Sequence, residues 1–326
     1  MAAQGIPGVR KAVRRTLTRM FGPPPFDPNR DPGDPGLTGP GTASWQVIGE
    51  PAAIAGGLRG LLVQVAHPLA MAGVADHSAF REDPLGRLQR TSAYVTTTTF
   101  GSTKEALVVS QRVRAVHPRV QGVAPDGRPY RADDPRLLTW VSIALTSSFL
   151  AADQLWSPHP VTGARADAFV AEQSRIGALL DPKVDLRAIL GDPLAQAELR
   201  EDRLPLPMID DGSLPTSVAA LGEVLASFAQ DLGVNHQGRD ALQFLRKPPI
   251  PRVARGGYRA LLAGAIGSLT PGLRSALELD RSEAAARTAV ARAGFALTLM
   301  RKTTGTSPSM DAAYARAHAD TPRVAA

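Results

Sequence analysis

The stretch LLVQVAHPLAMAGVA, Leu61 to Ala75, decides the fold class. It is the most apolar run in the chain, yet it falls short of a membrane span and carries Gln64, His67 and Pro68, so it reads as a helix buried in a protein core. Outward from it, apolar residues recur at helical spacing almost everywhere and strand-like alternation is nearly absent. The reading is an all-α protein with one mostly helical domain. Helices are expected at about 46–56, 58–76, 84–100, 103–117, 135–155, 163–180, 184–199, 214–231, 238–246, 251–267, 270–278 and 281–301. Asp-Pro pairs mark several starts: Asp83-Pro84, Asp134-Pro135, Asp181-Pro182 and Asp192-Pro193 place an acceptor at the N-cap and a ring suited to the first turn.

The domain is expected to run over 45–305. Before it, IPGVRKAVRRTLTRMF (6–21) puts Ile6, Val9, Val13, Leu17 and Met20 on one face with basic residues elsewhere. Such a helix, spanning 1–21 in outline, suits peripheral contact with a membrane or docking on its own domain. Residues 22–44 read as a Pro/Gly/Asp linker and 306–326 as a C-terminal tail. GPPPFDPNRDPGDPG occupies the place where an export signal needs its apolar region, so the reading is cytoplasmic.

Composition removes several function classes. The 326 residues contain no cysteine, which excludes disulfides, thiolate nucleophiles and cysteine-held metal clusters. The net charge of +7 invites nucleic acid, but the arginines read as scattered and aromatics make up only 5%, too few for base-stacking platforms. Nucleic acid is therefore not an expected partner. There is no P-loop, G-x-S-x-G or H-E-x-x-H, and the glycines of GGLRG (56–60) follow no strand, which argues against a phosphate cradle. His67 and His77, ten residues apart, make a poor common ligand pair.

Two arginine-bearing helices remain. In GRLQRTSAYVTTTTFG (86–101), Arg87, Arg90, Thr91 and Tyr94 fall at i, i+3, i+4 and i+7, a face of cations and hydroxyls. In VRAVHPRVQG (113–122), Arg114 and His117 share a face at a helix end stopped by Pro118. Haem matches both features, since its iron takes an axial imidazole and its propionates take cations. A histidine that merely satisfies the last carbonyls of a helix matches His117 equally well.

The ordered blocks LRGLLVQVAHPLAMAGVADHSAFREDPLGRLQRT, FG, VRAVHPRVQG and GRPYRADDPRLLTWV resemble the haem-dependent oxygenases that include latex-clearing protein and the mycophenolate-pathway oxygenase. The resemblance runs from about Trp45 to Trp156 and less clearly on to LTPGLRSALEL (269–279). It implies a globin-like helical core, haem b, and O2-dependent oxidation of a hydrophobic unsaturated substrate, including C=C cleavage. By position, it implies His117 as the iron ligand with Arg114 as its partner, and Arg87, Arg90 and Thr91 as the catalytic group on the oxygen side. Tyr94 and His67 join the cofactor pocket in this reading, with a purely structural bond to a neighbouring loop as the alternative for His67. The chain departs from the pattern at Arg90, where latex-clearing protein has lysine, and at Gln121, Ser142 and Ser147. These departures leave a non-catalytic haem-binding or sensing protein as the second implication.

Overall fold

The computed structural model describes residues 22–78, 82–250, 252–305 and 307–319. The expected amphipathic helix at 6–21 lies outside the described residues. Sixteen α-helices and one small hairpin make up the rest. They are α1 (Ala43–Gly49), α2 (Ala52–Val65), α3 (Pro68–His77), α4 (Pro84–Phe100), α5 (Thr103–Val116), α6 (Pro135–Trp156), α7 (Ala164–Ala178), α8 (Leu186–Gly191) and α9 (Pro193–Arg200). There follow α10 (Pro207–Asp210), α11 (Val218–Ser227), α12 (His236–Arg246), α13 (Arg252–Gly267), α14 (Pro271–Ala276), α15 (Glu283–Thr304) and α16 (Pro308–Ala317). Between α5 and α6 lie a short 3-10 turn, His117–Arg119, and the strands β1 (Gln121–Val123) and β2 (Pro129–Arg131), paired antiparallel.

The fold is all-α, as the periodicity predicts. Breaks between helices differ from expectation where proline chemistry overrides apolar spacing. The predicted helix 46–56 stops at Gly49 because Glu50, preceding Pro51, is extended. The predicted helix 58–76 is two helices, α2 and α3, bent by 101° at Ala66-His67. Pro68 opens α3, and His67 caps it by accepting the Ala70 amide at its Nδ1. Among the described residues no single helix is long and apolar enough to cross a membrane. Asp83, Asp134 and Asp192 cap α4, α6 and α9 as expected. Asp181 does not cap a helix; it accepts the Lys183 amide in a turn, and Asp185 caps α8 instead.

The main core is built on α2 and α6, with α13 and α15 closing it. Glycines at 56 and 60 let these two helices touch. A Cβ at Gly56 would stand 2.8 Å from the Phe149 ring and 3.1 Å from the Phe149 Cα, and one at Gly60 would stand 2.9 Å from Leu145 Cδ2. The GGLRG glycines thus serve helix packing. Arg59, between them, is 7% exposed, donates to Ser148 Oγ at 2.9 Å, and is pushed down to about 10 by burial. A second core gathers α5 with α7, α8 and α9.

Both segments read as appendages are packed. Within 22–44, Phe26, Leu37 and Thr38 are buried, and Asp34 accepts the Thr103 amide and hydroxyl at the start of α5. Of the expected tail, the described residues include α16. Its Arg316, 1% exposed, donates to the carbonyls of Asp34, Phe100 and Gly101, clamping the turn between α4 and α5.

Gly56→Val places branched carbons against the α6 backbone. It is expected to lower stability by about 1–3 kcal/mol, read by urea denaturation at unchanged helical circular dichroism.

Candidate active site

A cavity lies between α2, α3, α4, α6, α12 and α13, enclosing about 950 Å³ of free space with its mouth included. Its wall is mainly aliphatic: Leu58, Leu61, Met71, Val74 and Leu88 contribute from the N-terminal half, Phe244, Leu245 and Ile250 from the C-terminal half. Polar side chains are few. Arg87 and Thr91, one turn apart on α4, face the cavity, together with Gln64 and Tyr258. The Tyr258 hydroxyl is spent on the Leu245 carbonyl at 2.6 Å.

Arg87 donates to Ser78 Oγ at 2.7 Å, and its pKa is held below the ordinary arginine value by burial first and by neighbouring Arg90 second. Thr91 donates its hydroxyl to the Arg87 carbonyl at 3.2 Å, the usual back-bond of a helical threonine. Arg90 does not join them. It pairs with Asp83 at 3.3 Å with both side chains more than half exposed, so it belongs to the surface of the first turn. Tyr94 is also turned away. It packs into the second core, its hydroxyl beside Ser110 Oγ with neither hydrogen-bonded, and burial pushes it up to about 12.

His117 sits at the C-cap of α5, its amide bonded to the Val113 carbonyl. Its Nδ1 is buried without a partner, and burial lowers its pKa, which favours the neutral imidazole. His117 does not line the cavity. Because α4 and α5 are neighbours joined by Gly101-Ser102, the start of α4 with Arg87 and the end of α5 with His117 stand at the same end of the pair. Arg114 points elsewhere: it donates to the carbonyls of Val184 at 2.6 Å and Pro182 at 3.0 Å, tying α5 to the loop before α8.

His67 is 2% exposed and lies in an aromatic cluster, 5.5 Å from Trp140 and 5.9 Å from Phe228 between ring centroids. Its place is the bend between α2 and α3, outside the cavity lining. Burial pushes its pKa down to about 4, with Arg128 and Arg136 acting in the same direction and Asp231 opposing. His77 is also structural, its Nε2 donating to the Gln121 carbonyl at 3.0 Å.

The model of the family described as ER-bound oxygenase mpaB/B'/rubber oxygenase, catalytic domain, matches residues 45–301. The chain belongs to this family. It carries an oxygenase catalytic domain, and the match takes in every residue lining the cavity. No curated protein and no solved structure matches the chain.

Within this oxygenase domain, the departures at 121 and 142 fall away from the cavity. Gln121 is exposed on β1. Ser142 packs on α7, its Oγ against the position a Cβ would take on Gly177, so a larger residue at 142 meets the α7 backbone. Among the described residues no three histidine or carboxylate groups converge as metal ligands. Ser78, Phe244, Ile250 and Tyr258 escape sequence reasoning because no motif marks them; the apolar face of α12 was the only signal for that wall.

The His67 shift has a testable sign. Unfolded, the ring protonates near 6.5, but folded it does so only near 4, so its contribution to stability is complete above pH 6.5 and is lost as pH falls toward 4. The upper bound is about 3 kcal/mol. His67→Asn keeps a capping acceptor and removes the titration; its melting temperature is expected to fall less than the parent's between pH 7 and pH 5.

Proposed function

We propose that this oxygenase domain uses haem b and O2 to oxidise a hydrophobic unsaturated molecule of isoprenoid or lipid type, with C=C cleavage as the reaction class. The observation that carries the reading is the pairing of Arg87 and Thr91 in an otherwise largely aliphatic cavity. His117 supports it: burial disfavours its protonated form and its buried Nδ1 has no partner, so it is the residue that would hold the haem iron. Haem, when bound, would supply the redox-active iron for chemistry with O2.

The chain's own residues then divide the work. The aliphatic wall excludes water and holds the alkene, which strengthens every electrostatic interaction inside. Arg87, desolvated and fixed by Ser78, would hold a positive charge in the cavity, where it favours a transition state that gathers negative charge. Thr91 is one turn away and offers a hydroxyl that can exchange the Arg87 carbonyl for a ligand oxygen. Arg114 is a positioning residue, since its bonds to residues 182 and 184 fix the end of α5 that carries His117. Arg90 plays no direct part.

Full-length protein reconstituted with haem is expected to show a Soret band that His117→Ala largely abolishes. An unchanged spectrum in that variant overturns the ligand assignment. Oxygen uptake with terpenoid or unsaturated-lipid substrates is expected to fall about a hundredfold in Arg87→Gln while haem stays bound; uptake at the parental rate removes Arg87 from the mechanism.

A further inference from the structure

The positive charge of the chain is not scattered once it is placed on the fold. Residues 243–305 hold nine arginines and two lysines against Glu278, Asp280 and Glu283, a net +8 that exceeds the +7 of the whole protein. This segment contains α13 and α15, which pack against each other. Close approaches fix how they run. Gly264 meets Ala293 and Gly267 meets Ala286, so the helices are antiparallel and the start of α13 lies beside the end of α15.

That end carries an unusual surface. Phe295 is 75% exposed, the most exposed large apolar residue among those described, and Leu299, one turn on, is 56% exposed. Leu155 adds a third exposed apolar residue next to Trp156, whose ring touches Gly294. Around them Arg252, Arg255, Arg259, Arg287, Arg292 and Lys302 are all exposed. None forms an ion pair with another described residue, and among the nearby carboxylates Glu278 is held by Arg239, Glu283 by Arg274 and Glu50 by Arg301. After Glu283, α15 has no carboxylate at all. Its outward stripe reads Ala284, Thr288, Ala291, Phe295, Leu299, Lys302, a face with one aromatic, one leucine and cations at its edges.

We propose that this face docks the protein on an anionic lipid bilayer, with α15 along the interface, Phe295 and Leu299 inserted among the acyl chains, and the arginines and Lys302 on the headgroups. An apolar centre ringed by unpaired cations is the pattern that such a surface rewards. A second copy fits badly, because it brings the same uncompensated cations into contact. Nucleic acid leaves the apolar centre unused.

Co-sedimentation of the full chain with phosphatidylcholine/phosphatidylglycerol vesicles, and with phosphatidylcholine alone, tests it. Binding is expected to the anionic vesicles only and to weaken with salt. Phe295→Ser with Leu299→Ser, and separately Arg292→Glu with Lys302→Glu, are each expected to weaken it about tenfold or more, with melting temperature and haem spectrum unchanged. The proposal is overturned by a parent that ignores anionic vesicles, or by both variants binding like the parent, which places docking elsewhere, residues 1–21 included. It is also overturned by a dimer that dissociates in the apolar variant while vesicle binding persists, or by charge-dependent binding to duplex DNA without vesicle binding. The haem spectrum is read separately, so the fate of this proposal and of the haem reading are distinguishable.

Discussion

The contact of α2 with α6 governs the rest of the structure. Two glycines one turn apart bring the helices close enough for Phe149, Ala152 and Leu145 to pack on backbone, and Arg59 is sealed between them against Ser148. A buried guanidinium with one hydroxyl partner is costly, so the surrounding packing has to hold it in place. With that contact fixed, Leu58 and Leu61 present one face of α2 to the cavity while Gly56 and Gly60 present another to the core. The same helix therefore serves as core and as cavity wall.

The second constraint is the bend at His67. By capping α3 it turns Met71 and Val74 toward the cavity rather than letting the apolar run continue straight. The capping nitrogen must be unprotonated to accept the Ala70 amide, and burial among Trp140 and Phe228 ensures this. Cavity shape and ring ionisation are thus coupled through one side chain. The bend also explains why the most apolar stretch of the chain is not a span: its two halves point in different directions.

Helical periodicity and Asp-Pro caps made most of the fold legible from the residues alone. What they missed follows from competition between signals. Pro51 and Pro68 cut apolar patterns that run through them. At the cavity, i, i+3, i+4 spacing groups Arg87 and Thr91, which both line it, but cannot tell which neighbour reaches solvent, so it groups Arg90 and Tyr94 with them. Arg90 lies on the rim with Asp83, and Tyr94 is drawn into a core formed by residues distant in sequence. The C-terminal wall of the cavity was illegible because aliphatic residues at helical spacing look the same whether they face a core or a ligand.

The clamp by Arg316 has a mechanical consequence. It grips the carbonyls of Phe100 and Gly101, the closed end of the α4 and α5 pair, and the strap at Asp34 grips the same turn. The pair is thus held at its closed end, while Arg87 and His117 lie at the opposite end. A helix far beyond the last cavity-lining residue in sequence thereby fixes the base of the two helices that carry Arg87 and His117.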